Sequence, residues 1–240
     1  MGMMDILIDE LQLGINDDKK RWIDTKTGWK YLKKPNYNLV GKIKDVLSGD
    51  GKKEKRKATS ITFVDGRPYR FEEFIERILV IANEKLYNQF NLKGNKESID
   101  LLYEGGNEYE LFELKPSDSP NSPAYALVEI LKNYLMLIAD GDYAGKIKSL
   151  NILAPKAYYK KYEASEDFLE LLKDVSGEIE VKLLYIDEDF NDGFIKEIIG
   201  INPENRETIN LSKFKENIIQ IKSLKMENWK ELTKDNWSNL

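Results

Sequence analysis

Apolar residues Phe71, Phe74, Ile75, Ile78, Leu79, Ala82 and Leu86 recur every three or four positions, with Glu72, Glu73, Glu76 and Arg77 between them. This spacing predicts an amphipathic helix of about five turns, from Pro68 to near Phe90, and a short strand around residues 87–93. Two β-rich runs, 99–103 and 108–115, flank Gly105-Gly106 and read as a hairpin. Pro116 and the polar stretch 117–121 end the second strand. Ser122 as cap and Pro123 at the first helical position then open a helix that turns Ala124, Leu127, Val128, Leu131, Tyr134, Leu135 and Ile138 inward. Further along, 148–154 reads as a buried strand, 165–173 as a short helix and 178–186 as a strand. A last amphipathic helix is expected over 210–232, with Leu211, Phe214, Ile218, Ile221 and Leu224 on one face. Helices alternating with strands in this order predict an α/β fold with a mixed sheet flanked by helices.

No linker or internal repeat divides the chain, so one domain is expected. It comprises an N-terminal elaboration (1–66), a core (67–155) and a C-terminal α/β extension (156–240). The elaboration is polar, dotted with Trp22, Trp29, Tyr31 and Tyr37, and ends in a charged run over 49–57 that reads as an exposed loop. Residues 1–14 carry no basic segment leading into an apolar one, and the apolar runs 78–82 and 134–139 are far too short to span a bilayer. The expectation is a cytoplasmic protein with no membrane partner.

Composition narrows the chemistry. The 240 residues include no Cys and no His, which excludes thiolate zinc sites, thiol nucleophiles and imidazole-dependent triads. Catalysis would have to rest on carboxylates, Lys, Tyr or Ser around an oxygen-seeking cation such as Mg²⁺, with Mn²⁺ able to substitute. The net charge of −5 confines any nucleic-acid binding to a local basic surface.

The hairpin supplies such a site. With Gly105-Gly106 as a two-residue turn, Glu104 pairs with Asn107 and Asp100 lies opposite Leu111. Asp100, Leu111, Glu113 and Lys115 then share one face, with Asp100 and Glu113 as diagonal neighbours about 7–8 Å apart. Two carboxylates so placed can converge on one metal ion, with the Leu114 backbone carbonyl as a third ligand. Lys115 would orient a water or stabilise developing charge, and Glu72 from the first helix would complete the acidic cluster. The chemistry such a site would suit is phosphodiester hydrolysis.

Asp100, twelve intervening residues and Glu113-Leu-Lys115 together resemble the PD-(D/E)xK nuclease superfamily, whose fold is restriction-endonuclease-like. Phe71-Glu-Glu-Phe-Ile-Glu-Arg-Ile-Leu79 is similar to the first helix of Mrr-like members, which places Glu72 at the site. Glu129-Ile-Leu-Lys-Asn-Tyr134 is similar to a Gln…Tyr stretch in several of these nucleases, with Glu in place of Gln. Ile99 stands where the motif has Pro. The resemblance covers residues 68–155 and implies a Mg²⁺-dependent endonuclease acting on DNA, in restriction or phage defence. RNA is the alternative substrate, and a non-catalytic nucleic-acid-binding or assembly module is the alternative role.

Blander readings stand beside these. Glu113 and Lys115 would also suit a solvated strand face, and Glu73, Glu76 and Glu129 read as helix-surface carboxylates. The sequence 187–193 starts like a calcium loop, but Asp192 occupies the Gly position and Ile198 that of the bidentate Glu, which excludes it. Trp229 and Trp237 mark a candidate homodimer surface or, equally, packing on the same sheet.

Overall fold

The computed structural model describes residues 54–91, 98–139, 142–162, 172, 176, 179–200 and 205–240. The aromatic N-terminal segment, most of the charged run 49–57 and nearly all of the helix expected over 165–173 lie outside the described residues.

The main sheet has seven strands. They are β1 (Glu54–Arg56), β4 (Leu86–Asn91), β5 (Ser98–Gly105), β6 (Glu108–Leu114), β7 (Ile147–Pro155), β8 (Glu180–Ile186) and β10 (Lys230–Glu231), in the order β1-β4-β5-β6-β7-β8-β10. Strands β1 to β6 of this sheet pair antiparallel, β6, β7 and β8 run parallel, and β10 closes the far edge antiparallel. This is the mixed sheet expected. A second, three-stranded antiparallel sheet that the apolar pattern did not announce joins β3 (Arg67–Pro68), β2 (Ser60–Val64) and β9 (Arg206–Asn210) in the order β3-β2-β9.

Helices cover both faces of the main sheet. On one side α1 (Phe71–Ala82) buries Phe74, Ile75, Ile78 and Leu79 against Leu101, Phe112, Leu114 and Leu153. On the other, α2 (Pro123–Ala139) buries Ala126, Leu127, Ile130 and Leu131 against Leu102, Leu111, Leu150 and Ile152. Alternation along β5 and β6 thus feeds two separate cores. The Ser122 hydroxyl accepts from Tyr125 N at 3.2 Å, the cap expected of it.

Two expectations are corrected. Helix α1 stops at Ala82, two turns early, because Asn83 takes an extended backbone (φ −128°, ψ 112°) and Leu86 starts a strand. Leu86 does bury as its spacing suggests, but from β4. The single helix over 210–232 is broken into three short helical turns, α3 (Lys215–Gln220) and β10, because Asn210 caps Ser212 and Ile221 is extended. Leu211, Ile218 and Leu224 nevertheless reach the α1 core. Of the two readings open for Trp229 and Trp237, packing within the chain is the one observed. Trp229 packs edge-on against Phe112, and buried Trp237 packs on Tyr159 and donates to the Tyr162 carbonyl at 2.9 Å.

Asn83 is the pin between α1 and the C-terminal turns. Its amide donates to the Leu79 carbonyl (2.8 Å) and the Leu224 carbonyl (2.9 Å), and its side-chain oxygen accepts from Met226 N (2.9 Å). Asn83→Ala removes all three and leaves the Met226 amide unpaired. A loss of about 2 kcal/mol, or roughly 5 °C in melting temperature, is expected in thermal denaturation.

Candidate active site

The hairpin turn is Gly106-Asn107, one residue later than expected, with Gly106 at φ +78° in the first turn position, where two-residue hairpins favour Gly. Gly105 therefore pairs with Glu108, and Leu101 with Phe112. The register moves by two residues, so every side chain keeps its expected face. Continued one step, this register sets Asp100 level with Glu113 rather than diagonal to it.

The β5–β6 ladder ends at the Leu101–Phe112 pair, although β5 stays paired to β4 as far as Ser98. The two central strands fork at this point. In the fork the Leu114 amide donates to Asp100 Oδ2 at 2.9 Å, so a side chain takes over from a strand carbonyl. Lys115 N bonds the Leu153 carbonyl on the opposite edge of β6. Because backbone groups alternate edges along a strand, the Leu114 carbonyl faces the fork with its amide.

Two groups of charge meet around Asp100. From α1, Glu72 and Glu76 lie one turn apart on the same face. One oxygen from each of Glu72, Glu76 and Asp100 falls within 4.8 Å of the others. From β6 and α2, Lys115 donates to Glu113 Oε1 at 2.6 Å and Glu129 Oε2 at 2.8 Å, with Glu113 and Lys115 both buried. The structure thus brings Glu72 and Glu76 to Asp100, and holds Glu113, the expected partner of Asp100, on Lys115 instead. The turn ahead of α2 is fixed by Tyr158 and Tyr162, whose hydroxyls both donate to the Asn121 carbonyl (2.8 and 3.1 Å), and this sets where Glu129 meets Lys115.

Glu76 and Glu129 are the residues the sequence reading undervalued. Glu76 is 4 % exposed, and its Oε2 has no hydrogen-bond partner among the described residues, with the Arg77 guanidinium 3.8 Å away as an ion pair. Its four-residue spacing from Glu72 was the available signal. For Glu129 the signal was its place in the Gln…Tyr-like stretch, since Glu and Gln reach the same distance.

The electrostatics follow from burial and crowding. Burial raises the Glu72 carboxyl to about 7, with the Asp100 charge adding to the effect. Glu76 and Glu113 are pushed well above the usual carboxylate range by burial first and Asp100 second. Burial pulls on the Lys115 ammonium, but the Glu113, Glu129, Asp100 and Glu72 carboxylates hold its pKa well above the ordinary lysine value. Lys115 therefore stays charged, and the acids around it resist ionising together.

This has a consequence for stability. The folded Glu72 carboxyl keeps its proton to about pH 7, whereas the unfolded one releases it near 4.5. Between those values the folded state binds more protons, so stability falls as pH rises. Metal-free protein should lose about 3 kcal/mol from this group between pH 5 and pH 8, measured by urea denaturation. Removing the acid by Glu72→Gln should flatten the profile.

Among the described residues, no helix is long and apolar enough to cross a membrane. No family model, curated protein or solved structure matches the chain.

Proposed function

We propose that the chain is a metal-dependent endonuclease that hydrolyses phosphodiester bonds in DNA, with a restriction-endonuclease-like core over residues 67–155. The observation that carries this reading is the forked hairpin, at which Asp100, Glu113 and Lys115 meet Glu72 and Glu76 from α1 and Glu129 from α2. The run of α1, antiparallel β4-β5-β6, α2 and then β7 parallel to β6 is the helix–sheet–helix order that the resemblance implies.

The donor set fits a hard divalent cation. It offers three close carboxylates, one with a buried oxygen lacking a hydrogen-bond partner, and no nitrogen or sulfur ligands. Glu72, Glu76 and Asp100 would hold Mg²⁺, with Glu113 and the Leu114 carbonyl as further ligands. When bound, Mg²⁺ supplies the charge that polarises a phosphate and acidifies a water.

The chain's own residues do the rest. Lys115, fixed between Glu113 and Glu129, presents a positive charge that does not titrate away at neutral pH. That charge stabilises the negative charge developing on the phosphate oxygens. Glu129 and Glu113 position the ammonium from two sides, which removes the entropy of a long flexible side chain. Asp100, held by the Leu114 amide, keeps its carboxylate in the fork.

The competing role, a non-catalytic binding module, gives no reason to bury a lysine between two glutamates. RNA is the nearer rival substrate. End-labelled DNA and RNA strands of matched sequence, incubated with Mg²⁺, separate the two. DNA fragments that are absent for Lys115→Ala are expected, and RNA fragments alone would overturn the DNA assignment.

A further inference from the structure

We propose that the outer face of the β3-β2-β9 sheet binds an unpaired stretch of DNA, with Tyr69 and Arg206 forming the platform for one base. The inference rests on the nuclease reading above and specifies which form of DNA it acts on. In this sheet Val64 pairs with both Arg67 and Arg206, and Thr62 pairs with Thr208. Directly paired residues share a face. Ile61, Phe63 and Ile209 turn into the core, so the opposite face carries Ser60, Thr62, Val64, Arg67, Arg206 and Thr208.

Tyr69 adjoins this face, its amide bonded to the Thr62 carbonyl at 2.8 Å. It is 65 % exposed, one of two large hydrophobic side chains left open among the described residues. The Arg206 guanidinium lies 5.7 Å from its ring centroid. An aromatic ring held open beside a planar cation adds little to packing, but it offers a flat surface on which a nucleobase can stack.

Arginine usage supports the assignment. The chain has only six Arg among 37 basic residues, and two of them, Arg67 and Arg206, lie on this face, with Arg70 next to Tyr69 in the chain. Arg67 and Arg70 are 74 % and 68 % exposed, each bonded to a surface carboxylate at 2.8 Å, Asp192 and Glu73 respectively. Exposed pairs of this kind contribute little stability, and a phosphate competes for the same guanidinium fork. Asp192, bonded to Arg67, limits the positive charge of the face, so stacking rather than phosphate contact carries the affinity.

The position suits a substrate strand. Tyr69 precedes Glu72 by three residues, so their Cα atoms are at most about 10 Å apart. Stacked nucleotides advance about 3.4 Å each, so with the reach of both side chains a base on Tyr69 and a phosphate at the carboxylates fall a few nucleotides apart on one strand. Duplex bases are already stacked on both sides and cannot lie flat on this ring. The preferred DNA therefore has unpaired bases beside the cut.

The test measures binding of the full chain to a short labelled single strand and to the matching blunt duplex, by fluorescence anisotropy in Ca²⁺. Tyr69→Ala and Arg206→Ala should each weaken single-strand binding about tenfold. Tyr69→Phe should bind like the wild type, and the duplex should bind Tyr69→Ala and wild type equally. A 2-aminopurine in the single strand should be quenched by the wild type and not by Tyr69→Ala. Unchanged single-strand affinity in Tyr69→Ala, or an equal loss for the duplex, overturns the proposal. Cleavage in Mg²⁺ is read separately. Stacking effects in a wild type that does not cut would keep this surface and sink the nuclease reading. Cutting with no stacking effect would do the reverse.

Discussion

Asp100→Asn is expected to abolish cleavage and, without divalent cation, to make the protein more stable. The carboxylate sits where its charge opposes the ionisation of Glu72, Glu76 and Glu113 at once. Asn keeps an oxygen to accept from the Leu114 amide, so the fork should hold its shape. Removing one negative charge from a crowded, largely buried group should raise stability by about 1–2 kcal/mol in EDTA at pH 8. The same change removes a ligand and should lower cleavage by at least about a thousandfold, a loss of some 4 kcal/mol of transition-state stabilisation. Thermal melting with and without Mg²⁺ checks the account independently of any substrate. The wild type should gain stability with the logarithm of ion concentration above the Kd, and Asp100→Asn should gain little. A variant less stable than the wild type in EDTA would show that Asp100 is a structural acceptor rather than part of a strained acidic site.

The second large effect is expected at Lys115. Its ammonium is 4 % exposed and is bonded to Glu113 and Glu129. Lys115→Met fills similar volume with an apolar chain but leaves Glu113 buried without a cation. Breaking a buried pair from one side costs about 3–5 kcal/mol, more than the pair itself contributes. The expected result is a large fall in urea midpoint together with loss of cleavage. Adding Glu113→Gln to Lys115→Met should recover much of the stability, because the stranded charge is gone, but none of the activity. If the double variant is no more stable than Lys115→Met alone, Glu113 does not depend on Lys115 in the way the 2.6 Å contact implies.

How much of this could be read beforehand differs from residue to residue. The faces of the hairpin were legible because side chains alternate with a period of two, and a two-residue slip in register leaves that alternation intact. The turn itself was misplaced because Gly105-Gly106 and Gly106-Asn107 are both acceptable two-residue turns, and only the fold chooses between them. Helix α1 was overextended because Leu86 continues its apolar spacing, although it is buried from a strand. Periodicity reports burial, not the element that achieves it. The C-terminal region shows the same ambiguity, with Leu211, Ile218 and Leu224 reaching one core through broken turns. In the site, Asp100, Glu113 and Lys115 were accessible from local pairing. Glu76 and Glu129 were not, since a glutamate on a helix gives no sign of burial until the sheet it packs against is in place.

The small sheet was the least legible part. Strand β9 lies some 140 residues from β2, and its pairing with Ser60–Val64 depends on long-range contacts that leave no local pattern. Its outward face is where the chain keeps Arg67, Arg206 and the exposed ring of Tyr69. The acidic net charge suits the proposal of a small and local DNA-binding surface.

Supercoiled plasmid incubated with the full chain tests the central claim most directly, comparing wild type with Asp100→Asn in Mg²⁺ and in EDTA. Nicked or linear product from the wild type in Mg²⁺ alone, and none from the variant, is the predicted result. Plasmid left intact by the wild type, or cut equally well by Asp100→Asn, would contradict it.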